Sequence, residues 1–154
     1  MITFLLIIHA LLAVTLLGAI THQTISLWWP ARTRTGSFIN SVRSVPSMSY
    51  VTAIVVLFLA TATLGSIIYP AYRLGIRTVL QDYRMFAAEG SFELKEHFVA
   101  VGLGMLPAYW SIWRKPLAGD YPRTRAILTT VLAFIVWWAF LVGHVLNNIR
   151  GFGS

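Results

Sequence analysis

Long apolar runs alternate with short charged segments along this chain, and the alternation predicts a set of membrane-crossing helices. From Ile2 to Trp29 no charged residue interrupts the sequence. A helix needs about 20 mainly apolar residues to cross the hydrocarbon core of a bilayer, so this run suffices. It closes on Trp28, Trp29 and Pro30; the two indoles suit the headgroup layer and the proline stops a helix. A second run covers Met48 to Tyr69 and meets Pro70. A third covers Phe92 to Trp113, with Pro107 as its expected kink. A fourth covers Thr124 to Ile149 and ends near Arg150 and Gly151. The expected fold is all-α, an integral membrane four-helix bundle forming one transmembrane domain over residues 1–154.

The segment between the second and third runs has a different pattern. Leu74, Val79, Leu80, Tyr83, Phe86 and Ala87 share one helical face, among Arg73, Arg77, Asp82, Arg84 and Glu89. That spacing predicts a short amphipathic helix lying along the membrane surface. Ser91 then reads as an N-cap, with Glu93 and Glu96 in the first turn beside the positive helix end. No repeat or low-complexity segment interrupts the series. The first run lacks the positively charged start and small-residue cleavage pattern of a secretory signal, so it is expected to be retained.

Composition sharpens the membrane reading. The chain is 57% hydrophobic and 11% charged, where a soluble domain carries about 25% charged residues. Its net charge of +7 sits between apolar runs, not on a solvated face. The basic residues therefore point to lipid headgroups and topology, and no nucleic-acid partner is expected. The first and third loops hold seven Lys and Arg (Arg32, Arg34, Arg43, Arg114, Lys115, Arg123, Arg125) against the single acid Asp120. The second loop and the start of the third helix balance four basic residues with four acids. The bias places the first and third loops in the cytoplasm and both termini outside. The absence of cysteine excludes disulfides, thiolate metal sites, iron–sulfur clusters and covalently attached c-type haem.

Ionisable residues within a membrane are costly, so the four histidines carry the functional question. By helix rise, His9, His97 and His144 fall in the same half of the bilayer on three different helices. Imidazoles from separate helices at one depth suit axial ligation of haem b, or a copper ion, or a proton relay or quinone site. Gly18, Gly102, Gly104 and Gly143 lie near these histidines and leave room for a planar cofactor or, equally, for close helix packing. His97 and His144 also suit the headgroup layer, whereas His9 has apolar neighbours on both sides. Glu93 and Glu96 are candidates to orient His97. His22, within Thr21, Gln23 and Thr24, is expected to be structural, its cluster bonding between helices. His9 and His22 are 13 residues apart, about 20 Å along the helix and about 220° around it. They point to largely opposite faces, which favours one haem over two. Trp137 and Trp138 lie mid-helix, where packing explains them better than a headgroup role. No serine, histidine and acid set and no glycine-rich phosphate loop appears, so hydrolytic and nucleotide chemistry find no support.

In the first helix, His9-Ala10-Leu11-Leu12-Ala13-Val14-Thr15-Leu16-Leu17-Gly18 places a histidine nine residues before a glycine. This stretch resembles the start of bacterial membrane proteins of the copper-resistance D and cytochrome b561-like group. The resemblance covers about one helix. It implies haem b or copper handling at the outer face of a bacterial cytoplasmic membrane, with His9 as a ligand and Gly18 as a packing position. The resulting expectation is a membrane-embedded b-type cytochrome-like electron-transfer subunit of a larger redox complex. Its partners would be other membrane subunits and a quinone. The alternatives are a cofactor-free accessory or assembly subunit and a copper-handling protein.

Overall fold

The computed structural model describes residues 2–29, 38, 45–114 and 121–152. Arg32, Arg34, Arg43, Lys115 and Asp120, on which part of the charge bias rests, lie outside the described residues. Among those described, the chain is helical and contains no strand.

Helix α1 is Ile2–Trp28, the uninterrupted apolar run. Pro46 is extended and introduces a tight 3-10 turn, Ser47–Tyr50, which feeds helix α2, Val51–Ala71. Pro70 does not stop α2 as the sequence pattern predicted. Its ring removes an N–H and crowds the preceding turn, yet the helix runs through it to Ala71 and passes into a wide π turn over Tyr72–Ile76. A π turn, often found at functional sites, takes up the extra residue without ending the helix. Helix α3, Arg77–Asp82, follows directly. The amphipathic segment is therefore the continuation of α2, not a separate helix after a loop.

The reversal that follows needs no glycine. Arg84 takes the left-handed backbone conformation with φ 56°. Its N–H donates to the Gln81 carbonyl at 2.9 Å, and the Met85 N–H donates to the Leu80 carbonyl at 2.8 Å. These two bonds form the Schellman closure that satisfies the last carbonyls of a helix. Helix α4 then runs Phe86–Arg114, one and a half turns earlier than the sequence suggested. Ser91 is accordingly inside α4, where its hydroxyl donates to the Ala87 carbonyl at 2.7 Å, and it is not an N-cap. Helix α5 is Pro122–Phe152.

Among the described residues, three helical segments are long and apolar enough to cross a membrane: Ile2–Trp28, Ser47–Asp82 and Pro122–Asn148. Helix α4 is long enough but carries Glu89, Glu93, Lys95 and Glu96 in its first half. The helices bury Leu16, Ile20, Ile54, Phe58, Leu106 and Leu132 in a common core. Gly102 lets α2 and α4 approach: a Cβ there would stand 2.6 Å from the Phe58 ring tip. Phe58 thus occupies the space that the sequence left open for a cofactor beside Gly102.

Candidate functional site at the turn between α3 and α4

Polar contacts between helices fix how the histidines are aligned. Trp137 donates its indole N–H to Thr21 Oγ1 at 2.9 Å, and Trp28 donates to Thr130 Oγ1 at 3.0 Å. Both pairs set one antiparallel register of α1 on α5. Tyr109 donates to Gln23 Oε1 at 2.6 Å, which sets α1 parallel to α4. Carried along the helices, these registers place Lys95 level with His9, His97 level with Leu11 and His144 level with Val14. The three histidines span five residues of depth, about 7.5 Å.

Depth and direction are separate matters. His9 shares the inward face of α1 with Leu16, Ile20 and Gln23 and is half-buried. A Cβ on Gly65 of α2 would meet its Cε1 at 3.4 Å, so the imidazole packs into the notch that this glycine leaves. Its Nδ1 is enclosed and meets no partner in full hydrogen-bonding geometry, and the Thr61 backbone of α2 lies within reach of the ring. Lys95 and Glu96 lie close enough to act on it electrostatically. They form an ion pair at 2.7 Å, with the Lys95 side chain 15% exposed.

The Lys95 ammonium also sits 3.9 Å from the centre of the Phe92 ring. Phe92 in turn stacks on Tyr72 with centroids 3.6 Å apart. The Tyr72 hydroxyl is a second enclosed polar atom without a partner in full hydrogen-bonding geometry. Thus a charged pair, an aromatic stack and two enclosed polar atoms occur together where α1, α2 and α4 meet. Buried polar atoms are nearly always bonded, so exceptions mark places worth a functional account. Beyond this cluster, Glu89 accepts from Arg77 Nε at 2.6 Å and from Gln81 Nε2 at 2.7 Å, closing the turn.

The other expected ligands face elsewhere. His97 is exposed and donates its Nδ1–H to the Glu93 carbonyl at 2.7 Å. Glu96 pairs with Lys95 and so does not orient His97 through a bond of that kind. His144 is exposed, stacks on Phe140 at 6.1 Å and has Asn148 Nδ2 3.1 Å from its Nε2. Among the described residues no three His, Asp or Glu side chains gather to hold a metal ion. Of the three expected ligands, His9 is half-buried, while His97 and His144 are exposed on their helices. Gly18 faces outward and a Cβ there would meet nothing within 4 Å; the glycines that admit neighbours are Gly65 and Gly102.

The structural expectation for His22 has a concrete form. Its ring lies 4.7 Å from that of Tyr50, and the Ser26 hydroxyl donates to its carbonyl at 2.8 Å. Thr21 and Gln23 of its cluster do bond to other helices, while Thr24 donates back to Ile20. From the sequence Tyr72 reads as an interfacial anchor and Lys95 has no role of its own. The available signal was spacing: Lys95 precedes the buried Gly102 by seven residues, two turns along one helical face. Comparison with protein families, curated proteins and solved structures finds no match to this chain.

Proposed function

We propose that this chain is an integral subunit of a membrane complex, a four-helix transmembrane bundle with a proton-exchanging site built on His9. The observation that carries this reading is the half-buried His9 imidazole, packed on Gly65 with its Nδ1 enclosed and within electrostatic range of the Lys95–Glu96 pair. Imidazole is the side chain whose ordinary titration spans neutral pH, and it both accepts and returns a proton. Glu96 is a carboxylate within electrostatic range on the more exposed side, its side chain 41% exposed, and Lys95 compensates its charge. A proton site does useful work only when coupled to another reaction, which a second membrane subunit supplies.

Helix α4 completes the bundle. Between Glu96 and Arg114 it has no charged side chain, and its 29 residues reach about 43 Å. The basic first and third loops lie in the cytoplasm, and the turn at Tyr83 and both termini lie outside, in a bacterial cytoplasmic membrane.

Nitrogen-15 spectra of histidine-labelled protein in lipid vesicles, recorded from pH 5 to 8, test this. One imidazole signal, lost in His9→Gln, is expected to titrate across that range. A His9 that keeps one protonation state throughout defeats the proposal. The shared depth of His9, His97 and His144 supports a second reading, an electron-transfer subunit with haem b or copper held between this chain and another subunit. A dithionite-reduced α-band in the purified complex, absent from the isolated chain, would favour it.

A further inference from the structure

We infer that α2 and α4 hold one anionic phospholipid, with an acyl chain in the groove between them and the phosphate on Arg114. Helices α2 and α4 meet less closely than α4 and α5, α1 and α2, or α1 and α5. The gap is an open apolar groove of about 270 Å³ lined by Val55, Leu59, Leu103, Leu106, Pro107 and Trp110. Its lining is almost wholly hydrocarbon, and the residues belong to the apolar part of both helices.

The end of this groove towards the α4 C-terminus carries a cation. Arg114 lies one turn beyond Trp110, and its guanidinium sits 4.1 Å from the indole centre. Its Nη2 donates to Thr52 Oγ1 at 3.1 Å, and Thr52 precedes Val55 by three residues on α2. The guanidinium therefore bridges the two groove walls and is oriented by both. A guanidinium has five N–H donors, and Thr52 takes one of them. Among the described residues the ion pairs all lie at the opposite end of the helices, and none of them includes Arg114.

An apolar channel headed by an oriented guanidinium that makes no ion pair among the described residues is complementary to a phosphodiester with a hydrocarbon tail. A zwitterionic lipid brings its own cation to the same point, and a quinone brings no charge to meet Arg114. An anionic lipid satisfies both halves of the site. The bilayer supplies it directly, and this requires only that the helices sit in a membrane, whatever His9 does.

The test uses the delipidated full-length chain in detergent with equimolar phosphatidylglycerol and phosphatidylcholine of identical acyl chains, read by native mass spectrometry. Wild type should retain phosphatidylglycerol about five-fold over phosphatidylcholine, the advantage of one basic residue at an anionic lipid. Arg114→Gln should bring that ratio to about one, with its helical circular dichroism unchanged. Leu59→Trp, at a position 48% exposed, should reduce retention of both lipids by narrowing the groove. Equal retention by wild type, an unchanged preference in Arg114→Gln, or undiminished retention in Leu59→Trp would each overturn the assignment. So would displacement of bound phosphatidylglycerol by an equimolar quinone.

Discussion

The Tyr109 hydroxyl donates to Gln23 Oε1 at 2.6 Å, and neither residue has any exposed surface. Gln23 Nε2 donates onward to the Ser47 carbonyl at 2.9 Å. One side chain thus ties α1 to α4 and to the entry of α2. It also fixes the parallel register of α1 and α4, which puts Lys95, not His97, level with His9.

Replacing Tyr109 with Phe leaves Gln23 Oε1 buried without a donor. Hydrogen bonds between membrane helices are worth about 0.5–2 kcal/mol, and an orphaned acceptor adds to the loss. Tyr109→Phe should lower stability by about 1–2 kcal/mol in a detergent unfolding titration. In a double-mutant cycle with Gln23→Leu, the two losses should be less than additive. Strict additivity would mean that the contact contributes nothing to stability.

Gly102 is the tightest glycine contact between helices. An added methyl would stand 2.6 Å from Phe58 Cζ and 3.3 Å from Ile135 Cγ2, and Phe58 is only 3% exposed. Gly102→Ala should destabilise by about 1–3 kcal/mol, the usual cost of overpacking. Phe58→Leu in the same chain should recover part of that loss. Gly104→Ala, whose methyl meets nothing within 4 Å, should instead raise stability slightly through helix propensity. Thermal midpoints of the variants in one detergent decide the order.

Glu89 holds the turn between α3 and α4 through Arg77 and Gln81, and its side chain is 12% exposed. Glu89→Ala removes the shared acceptor and leaves Arg77 with the more exposed Glu93 at 3.2 Å. The expected cost is about 1–3 kcal/mol. It should be local, with faster amide exchange over residues 77–92 and little change in α1. Uniform acceleration across all helices would show that the turn is part of one cooperative unit.

Transmembrane topology can be read with thiol labels because the chain has no cysteine. Tyr83 is 76% exposed and Tyr121 56% exposed, at opposite ends of the helices. In right-side-out vesicles, Tyr83→Cys should react with a membrane-impermeant maleimide without permeabilisation, and Tyr121→Cys only after it. The reverse pattern would invert the topology. Labelling of both from one side would show that an even number of spans, or none, separates them.

Helical class and three apolar spans were legible in the sequence, since a 3.6-residue helix satisfies its own backbone and needs only enough apolar length. The depth of each histidine was likewise set by position along a run. Local pattern misjudged two boundaries. Pro70 and Ser91 are ordinary signals for a stop and a start, yet both lie inside helices. The helix ran on through the proline into a π turn, and a Schellman closure at Arg84 moved the true turn to a place without glycine.

Direction around each helix was the part that the sequence left open. In a membrane nearly every face of a helix is apolar, so periodicity carries little information about which side turns inward. Only the packing against neighbouring helices decides it. Contacts such as Gln23 to Tyr109, Phe58 to Gly102 and His9 to Gly65 turned His9 and Lys95 inward and left His97 and His144 exposed. The sequence determined a helical membrane chain with three histidines at similar depth. Tertiary structure alone decided which of them faces the interior, because that depends on side chains brought together from distant parts of the chain.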